Sequence, residues 1–592
     1  MGKQMNNGAE LLVDALVRHG VDTVFGFPGD TSIAFYDVLL RRADEIRHVL
    51  ARDERHAGFM ADAYSRTTRR LGVCEAPSGA GAVYLASGMA EAFAASVPLL
   101  AITTDNNRRS FGTAPISEVD QEALFSACTK WRRSAERTED IPALVEEAIV
   151  AATSGRPGPV VLILPEDVIE GVVEVQGAAV TADLAAPASE GAAVTAGLPT
   201  APAVTADLPG RRVAAPETAI AEAAAKLSAA TRPVIVAGGG AHFSGAGSEL
   251  TALAEHLGLP VATSIHGKGV VDEAHPLALG VIGGNGARPY ANRYLAEADL
   301  VLFVGTRANA TDTLGFTAPK RGETVVLHIE TDEHRAGRNY PGSTALVGDA
   351  TTVLAQLKAR VEAKTTEVAE ELAEARKLWA ESLAPVELPG EVLDPREIVN
   401  ALRDAFGPDT WVVADAGTPT PYLSSFWEAP GDGWRVTIPR GHGPLGFAVA
   451  ASVGVAVGHP GERVLCVTTE NSVAMAVSEW ETAKRLGLPI TYVVLDNTSL
   501  AWIKMIQHLY SGSRYFAVDP GPIDPVLLAA GMGVPGARAR TLDELATMAK
   551  EAANAEGPTV IHVAVPEHMD VPPPVPVWQA ALSGEAKSRP IH

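Results

Sequence analysis

The chain has 592 residues, 47% hydrophobic and 20% charged, room for three or four domains at about 150 residues each. Its 48 Lys and Arg against 71 Asp and Glu leave a formal charge of -23, a field that repels nucleic-acid backbones and anionic membrane surfaces and argues against either as a partner. Three cysteines, Cys74, Cys128 and Cys466, stand far apart without a CxxC pair, so neither a disulfide framework nor a zinc site is expected, and a reducing, cytoplasmic setting fits.

The opening MGKQMNNGAELLVDAL has no apolar run behind its single Lys, so no secretory signal is expected. The longest apolar stretches, 92–103 and 445–458, fall short of the roughly 18 residues that a spanning helix requires. Strand candidates follow at 23–25, 71–74, 99–102 and 160–164, separated by amphipathic stretches, and define a first domain over 1–172. The next segment, 173–215, is largely Ala, Pro, Thr and Gly, with VTADL, VTAGL and VTADL in succession. It has little large apolar surface to repay the entropy of ordering and reads as an exposed linker. A second domain, 216–363, carries strand candidates at 234–236 and 300–304. The segment 364–390 reads as a charged connecting helix followed by prolines. The third domain, 391–570, has strand candidates at 411–413, 464–467, 490–495 and 560–563, and 571–592 reads as a tail. Continuous apolar strands alternating with helices predict parallel sheets covered on both faces, hence three doubly wound α/β domains.

Open parallel sheets bind ligands beyond the carboxyl ends of their strands. There the run Thr468-Thr469-Glu470-Asn471-Ser472 follows one strand, and Asp496-Asn497-Thr498-Ser499 follows another. One strand-helix-strand crossover separates Glu470 from Asn497. Adjacent parallel strands would therefore bring two hard oxygen donors to one sheet edge, beside a helix N-terminus, a combination suited to Mg²⁺ bridging to a diphosphate. The alternative is that Glu470 caps the helix and Asp496-Asn497 makes a turn.

These residues resemble the cofactor motif of the thiamine-diphosphate enzymes of the acetolactate synthase, pyruvate oxidase and 2-oxoacid decarboxylase group. In that group Gly-Asp-Gly is followed some 27 residues later by Asn-Asn. Here Thr469-Glu470-Asn471 replaces the first element and Asp496-Asn497 the second. The likeness extends over nearly the whole chain apart from the linker and tail. Phe25-Gly26-Phe27-Pro28-Gly29 resembles the family's Gly-x-Pro-Gly turn, and Glu54 in RDERHAGFMADAYSR falls at its catalytic glutamate. Pro77-Ser78-Gly79-Ala80-Gly81-Ala82 resembles its Ser-Gly-Pro-Gly-Ala turn. Asp415-Ala416-Gly417-Thr418-Pro419 and Gly443-Pro444-Leu445-Gly446-Phe447 resemble two further cofactor loops.

The resemblance implies a pyrimidine-binding first domain, a central domain and a diphosphate-binding third domain. It makes Glu54 the group that hydrogen-bonds the aminopyrimidine ring, sets Leu445 under the folded cofactor and has Gly443 accept from its amino group. Pro28, Gly29 and Ser78 would line the pyrimidine side. Gly417, Thr418, Pro419, Asn471 and Ser472 would face the diphosphate. The metal would be held by Glu470, Asn497 and the backbone oxygen of Ser499. Asp30 and His442 are further candidates for proton transfer, with His56 an additional ionisable group near Glu54.

The expected reaction is decarboxylation of a 2-oxoacid and transfer of the activated aldehyde to a carbonyl acceptor, in a homodimer or homotetramer. Alternatives are a non-ligating 2-oxoacid decarboxylase, a 2-hydroxyacyl-CoA-type lyase, or a catalytically silent relative retained for assembly or regulation. Ile116-Ser117-Glu118 stands where acetolactate synthase reads Phe-Gln-Glu, and Ile506 stands where the biosynthetic enzymes carry a tryptophan. FAD or ADP could meet Gly238-Gly239-Gly240 in the central domain, but Ala308-Asn309-Ala310-Thr311 departs from the flavin-bearing branch, and neither is expected.

Overall fold

A computed structural model describes residues 4–175, 212–383, 385–431 and 433–584. Two compact units divide them, the first made largely of residues 4–175 and the second largely of residues 212–584. The first holds one six-stranded parallel sheet, in the order Arg47–Leu50, Thr23–Gly26, Gly72–Ala76, Leu99–Asp105, Val160–Pro165, Trp131–Ser134. A short ribbon joins Gln4–Asn7 antiparallel to Val172–Val175, so the first domain's last strand runs three residues past the expected boundary at 172. Most of the expected linker, 176–211, lies outside the described residues.

The second unit holds two more six-stranded parallel sheets. In the central one the strands run Ala278–Val281, Val261–Thr263, Pro233–Ala237, Leu300–Val304, Val325–Glu330, Thr344–Val347. Its strands bury both faces: Ile235, Leu302 and Ile329 join one core, while Val234, Val236 and Phe303 on the alternate positions join the other. The last sheet runs Val436–Thr437, Trp411–Ala414, Val464–Thr469, Ile490–Asp496, Thr559–Ala564, Gly536–Ala539. All three doubly wound domains expected from the periodicity are present. The edge strands were not expected, because they are short or half polar, and neither were the interior strands Val261–Thr263 and Val325–Glu330 of the central sheet, of which the second, with its apolar VVL start, carried a readable signal.

Between the two sheets of the second unit lies a buried ion cluster. Lys268 Nζ reaches both oxygens of Glu273 at 2.7 Å, and Arg288 Nη2 reaches Oε2 at 3.3 Å. Two cations on one carboxylate leave an excess positive charge in the cluster, on which the charge of Glu428 also acts. That excess faces the C-terminal end of the helix Pro419–Phe426, where Arg288 Nε donates to Ser425 O at 3.1 Å and Lys268 Nζ to Ser424 O at 3.4 Å. The negative end of the helix dipole offsets it. The cluster thus fixes the helix whose first turn carries Thr418 and Pro419.

The connecting helix spans Val368–Ser382, within the expected segment. The expected tail from 571 holds a helix, Pro576–Leu582, whose Trp578 is fully buried against Met505 and Val575. Proline density masked it. No helix among the described residues is long and apolar enough to cross a membrane.

Candidate active site

In the first unit, three strand ends gather the predicted residues. The strand Thr23–Gly26 runs into Phe27-Pro28-Gly29, and Gly29 is locked by a reciprocal pair: its amide donates to Ser32 Oγ and Ser32 Oγ to its carbonyl, both at 3.1 Å. A Cβ on Gly29 would lie 2.5 Å from Pro77 Cβ, so the turn after strand Gly72–Ala76 is packed directly on it. The Ser78 amide donates to Thr31 Oγ1 at 3.2 Å, and Thr31 Oγ1 donates to Ser78 Oγ at 3.3 Å. Asp30 opens the short 3-10 turn Asp30–Ser32 and is exposed.

Glu54 is the first residue of helix Glu54–Thr68, whose N-cap Asp53 accepts from the Arg55 amide at 2.8 Å. A Cβ on Gly81 would lie 2.7 Å from Pro77 Cδ and 3.0 Å from Glu54 Oε1. Gly29, Pro77, Gly81 and Glu54 thus form one cluster that only a glycine at 81 permits. Burial pushes the Glu54 pKa up and the charge of Asp53 adds to the rise, while the helix's first amide moderates it. His56 is buried on the same helix.

A group that sequence reasoning missed lies close by. Glu75, wholly buried on strand Gly72–Ala76, accepts from Tyr36 OH at 2.6 Å, and Tyr36 OH also meets His48 Nε2 at 3.1 Å. Its Oε1 has no hydrogen-bond partner. Burial pushes its pKa up to about 8, with the Glu54 charge contributing and the Tyr36 and Ser32 hydroxyls opposing. A charged residue at the centre of VCEA was the available signal.

In the second unit, strands Val464–Thr469 and Ile490–Asp496 pair with Thr469 opposite Leu495, so Glu470 and Asp496 follow side by side. Thr469 caps the helix Glu470–Ala476: its Oγ1 accepts from the Ser472 amide at 3.3 Å. Glu470 is buried, with Oε2 lacking any partner. Its Oε1 accepts from Asn471 Nδ2 at 2.7 Å, and that same nitrogen donates to Ser499 O at 3.1 Å. Burial pushes the Glu470 pKa up to about 8, Asp496 adds to the rise, and the amides of Glu470, Asn497 and Ser499 hold it back. Asn497 Oδ1 accepts from the Ser499 amide at 3.3 Å, and Asn497 Nδ2 donates to Thr418 Oγ1 at 3.4 Å. Asp496 Oδ2 meets the buried His562 Nε2 at 2.9 Å.

The other cofactor loops converge through Asp415, a motif residue to which the sequence assigned no role. Its Oδ1 accepts from the Ala448 amide at 3.1 Å and its Oδ2 from Thr468 Oγ1 at 2.6 Å, linking the 415–419 loop, the 443–448 loop and the strand that ends before Glu470. Gly417 and Gly443 lie at φ +98° and +79°, the left-handed region that a side chain would strain. Leu445 is half-buried and His442 exposed. Pro419 and Pro421, at the first and third positions of their helix, have no N–H, and the Thr420 amide donates to Gly417 O at 3.2 Å.

Three models of thiamine pyrophosphate enzymes match the chain: the N-terminal TPP-binding domain over residues 6–124, the central domain over 220–357 and the C-terminal TPP-binding domain over 415–563. The probable acetolactate synthase large subunit of Methanocaldococcus jannaschii is 32% identical over 580 residues, covering 94% of this chain and 92% of the relative. The large subunit of acetolactate synthase isozyme 1 of Escherichia coli K12 is 31% identical over 576 residues, covering 96% of each. Among solved structures, benzoylformate decarboxylase from Polynucleobacter necessarius superposes with a TM-score of 0.78 over 95% of this chain and 99% of that one, at 20% identity, a likeness of fold.

Proposed function

The chain belongs to the thiamine-diphosphate-dependent, acetolactate synthase-like enzymes, and on that premise we propose that it decarboxylates a 2-oxoacid and transfers the resulting activated aldehyde to a carbonyl acceptor, with Mg²⁺ bridging protein and diphosphate. The observation that carries this reading is the placement of Glu54: a half-buried carboxyl with a raised pKa, set by Pro77 and Gly81 at the strand ends. When bound, the cofactor supplies an acidic thiazolium carbon and a sink for the electron pair left behind as carbon dioxide departs. Glu54 would hold a proton against the aminopyrimidine ring, and burial, which raises its pKa, favours the protonated form that such a contact needs.

The residues fit the metal as well. The orphaned, buried Glu470 Oε2 is an oxygen without a partner beside the Asn497 amide and the Ser499 carbonyl, a donor set of hard oxygens. Glu470, Asn497 and Ser499 O would hold the ion, Thr418 and Ser472 would flank the diphosphate, and Leu445, Gly443, Pro28, Gly29 and Ser78 would confine the rings. A homodimer or homotetramer is part of the reading. FAD and ADP are not: a Cβ on Gly238 would lie 2.5 Å from Gly305 O, Gly240 N donates to Gly305 O at 2.9 Å, and Trp434 lies 3.1 Å from a Cβ on Gly239. Close packing within the protein accounts for all three glycines.

The test is Glu54→Gln with cofactor affinity measured beside turnover on a panel of 2-oxoacids, free aldehyde being separated from ligated product. Retained thiamine-diphosphate binding with turnover down by more than about tenfold, or 1.4 kcal/mol of barrier, is expected. A smaller loss would remove Glu54 from the mechanism.

A further inference from the structure

Thr418 sits where the diphosphate loop enters its helix, yet that helix offers an anion few backbone donors, since Pro419 and Pro421 have none and the Thr420 amide is spent on Gly417 O. The Thr418 hydroxyl is held from two sides. Asn497 Nδ2 lies 3.4 Å from Oγ1, and His568 Nε2 lies 3.0 Å from it. The orientation of the Asn497 amide follows from its oxygen, which accepts from the Ser499 amide, so its nitrogen donates to Thr418.

His568 is buried between Trp502 and Trp578, ring centroids 6.3 and 5.7 Å away, and its Nδ1 has no partner. Burial pushes its pKa down to about 3, so the imidazole is neutral with one N–H. Were Thr418 to donate to Nε2, that N–H would sit on Nδ1 as a buried donor without an acceptor, an arrangement native interiors avoid. With the hydrogen on Nε2, the bond runs to Thr418 Oγ1. Both Thr418 lone pairs are then filled and its proton is left over.

We propose that His568 is a positioning residue: by donating Nε2–H to Thr418 Oγ1, it turns the Thr418 hydroxyl proton outward as a donor to a cofactor diphosphate oxygen. The assignment rests on the thiamine-diphosphate reading of the site. It gives the segment after strand Thr559–Ala564 a function besides packing.

The experiment is calorimetric titration of thiamine diphosphate at saturating Mg²⁺, with melting temperatures recorded alongside. His568→Phe keeps the ring's shape without the donor and should weaken cofactor binding about tenfold, as should Thr418→Val, each losing one hydrogen bond to a charged group. His568→Gln places an amide N–H near the Nε2 position and should restore affinity, whereas His568→Asn, whose amide reaches only the Nδ1 position, should not. The Phe/Val double variant should bind no worse than Thr418→Val alone. Additive losses, a Gln variant as weak as Phe, or unchanged affinity in the Phe variant would each overturn the assignment. Wild-type protein that binds no thiamine diphosphate would instead overturn the reading beneath it.

Discussion

A divalent cation held by the Glu470 carboxylate would compete with a proton for it. Burial and the adjoining Asp496 place its pKa at about 8, so about nine-tenths of the carboxyl is neutral at pH 7. Its Oε1 accepts from Asn471, and Oε2 has no hydrogen-bond partner within the protein. Because the proton stabilises the metal-free state below pH 8 and competes with the ion, cation affinity should rise with pH by about tenfold per unit well below pH 8, roughly fiftyfold between pH 6 and pH 8, then level off. Calorimetric titration of Mg²⁺ at saturating thiamine diphosphate, in two buffers of different ionisation enthalpy, counts the protons released. Glu470→Gln, measured identically, subtracts whatever the cofactor itself contributes. The wild type should release close to one proton more per ion than the variant at pH 7. Equal proton release in the two proteins would refute the placement of the metal on Glu470 and leave it as a helix residue only.

Asn471→Ala should strengthen metal binding by about tenfold in the same titration, because its amide hydrogen bonds occupy Glu470 Oε1 and Ser499 O; weaker binding would mean that its side chain is itself a ligand after rotation. Glu75→Gln should gain stability over the wild type as pH rises from about 4.5 to 8, by about 1.4 kcal/mol per unit, since the buried carboxyl resists ionisation across that window and the unfolded one does not. A melting-temperature difference that stays constant between pH 5 and pH 8 would contradict this. Glu273→Gln leaves Lys268 and Arg288 as buried cations without their anion and should cost about 3–5 kcal/mol; denaturant unfolding showing less than about 1 kcal/mol would show the cluster to be hydrated or relaxed.

What was legible in the sequence was what local pattern encodes. Runs such as Val464 to Val467 announce buried parallel strands, and the crossover length between Glu470 and Asn497 is enough to infer neighbouring strand ends, which the register confirms. Glu75 was invisible for the opposite reason: a lone carboxyl in a strand gives no hint that Tyr36, 39 residues earlier, will meet it. Asp415 belonged to a recognisable loop, but its bonds to Ala448 and Thr468 depend on three loops closing together. His568 lies just before a proline-rich run that reads as a tail, and only the burial of Trp578 reveals that this run folds back as a helix.

These departures share a direction. Where the related motif has glycines, this chain has Thr469 and Asn471, and where a helix N-terminus would offer amides, it has Pro419 and Pro421. The Ser472 amide is already taken by Thr469 Oγ1. Backbone donors for a diphosphate are therefore fewer in both turns, and the work would pass to side chains: Thr418 through Asn497 and His568, and Glu470 through the ion it would hold. Backbone amides keep their place under substitution, whereas a hydroxyl oriented by two neighbours loses its aim when either is changed. Such a site should bind its cofactor with unusual dependence on the cation and on single side chains, a dependence that arises from the prolines and not from any weakness in the fold.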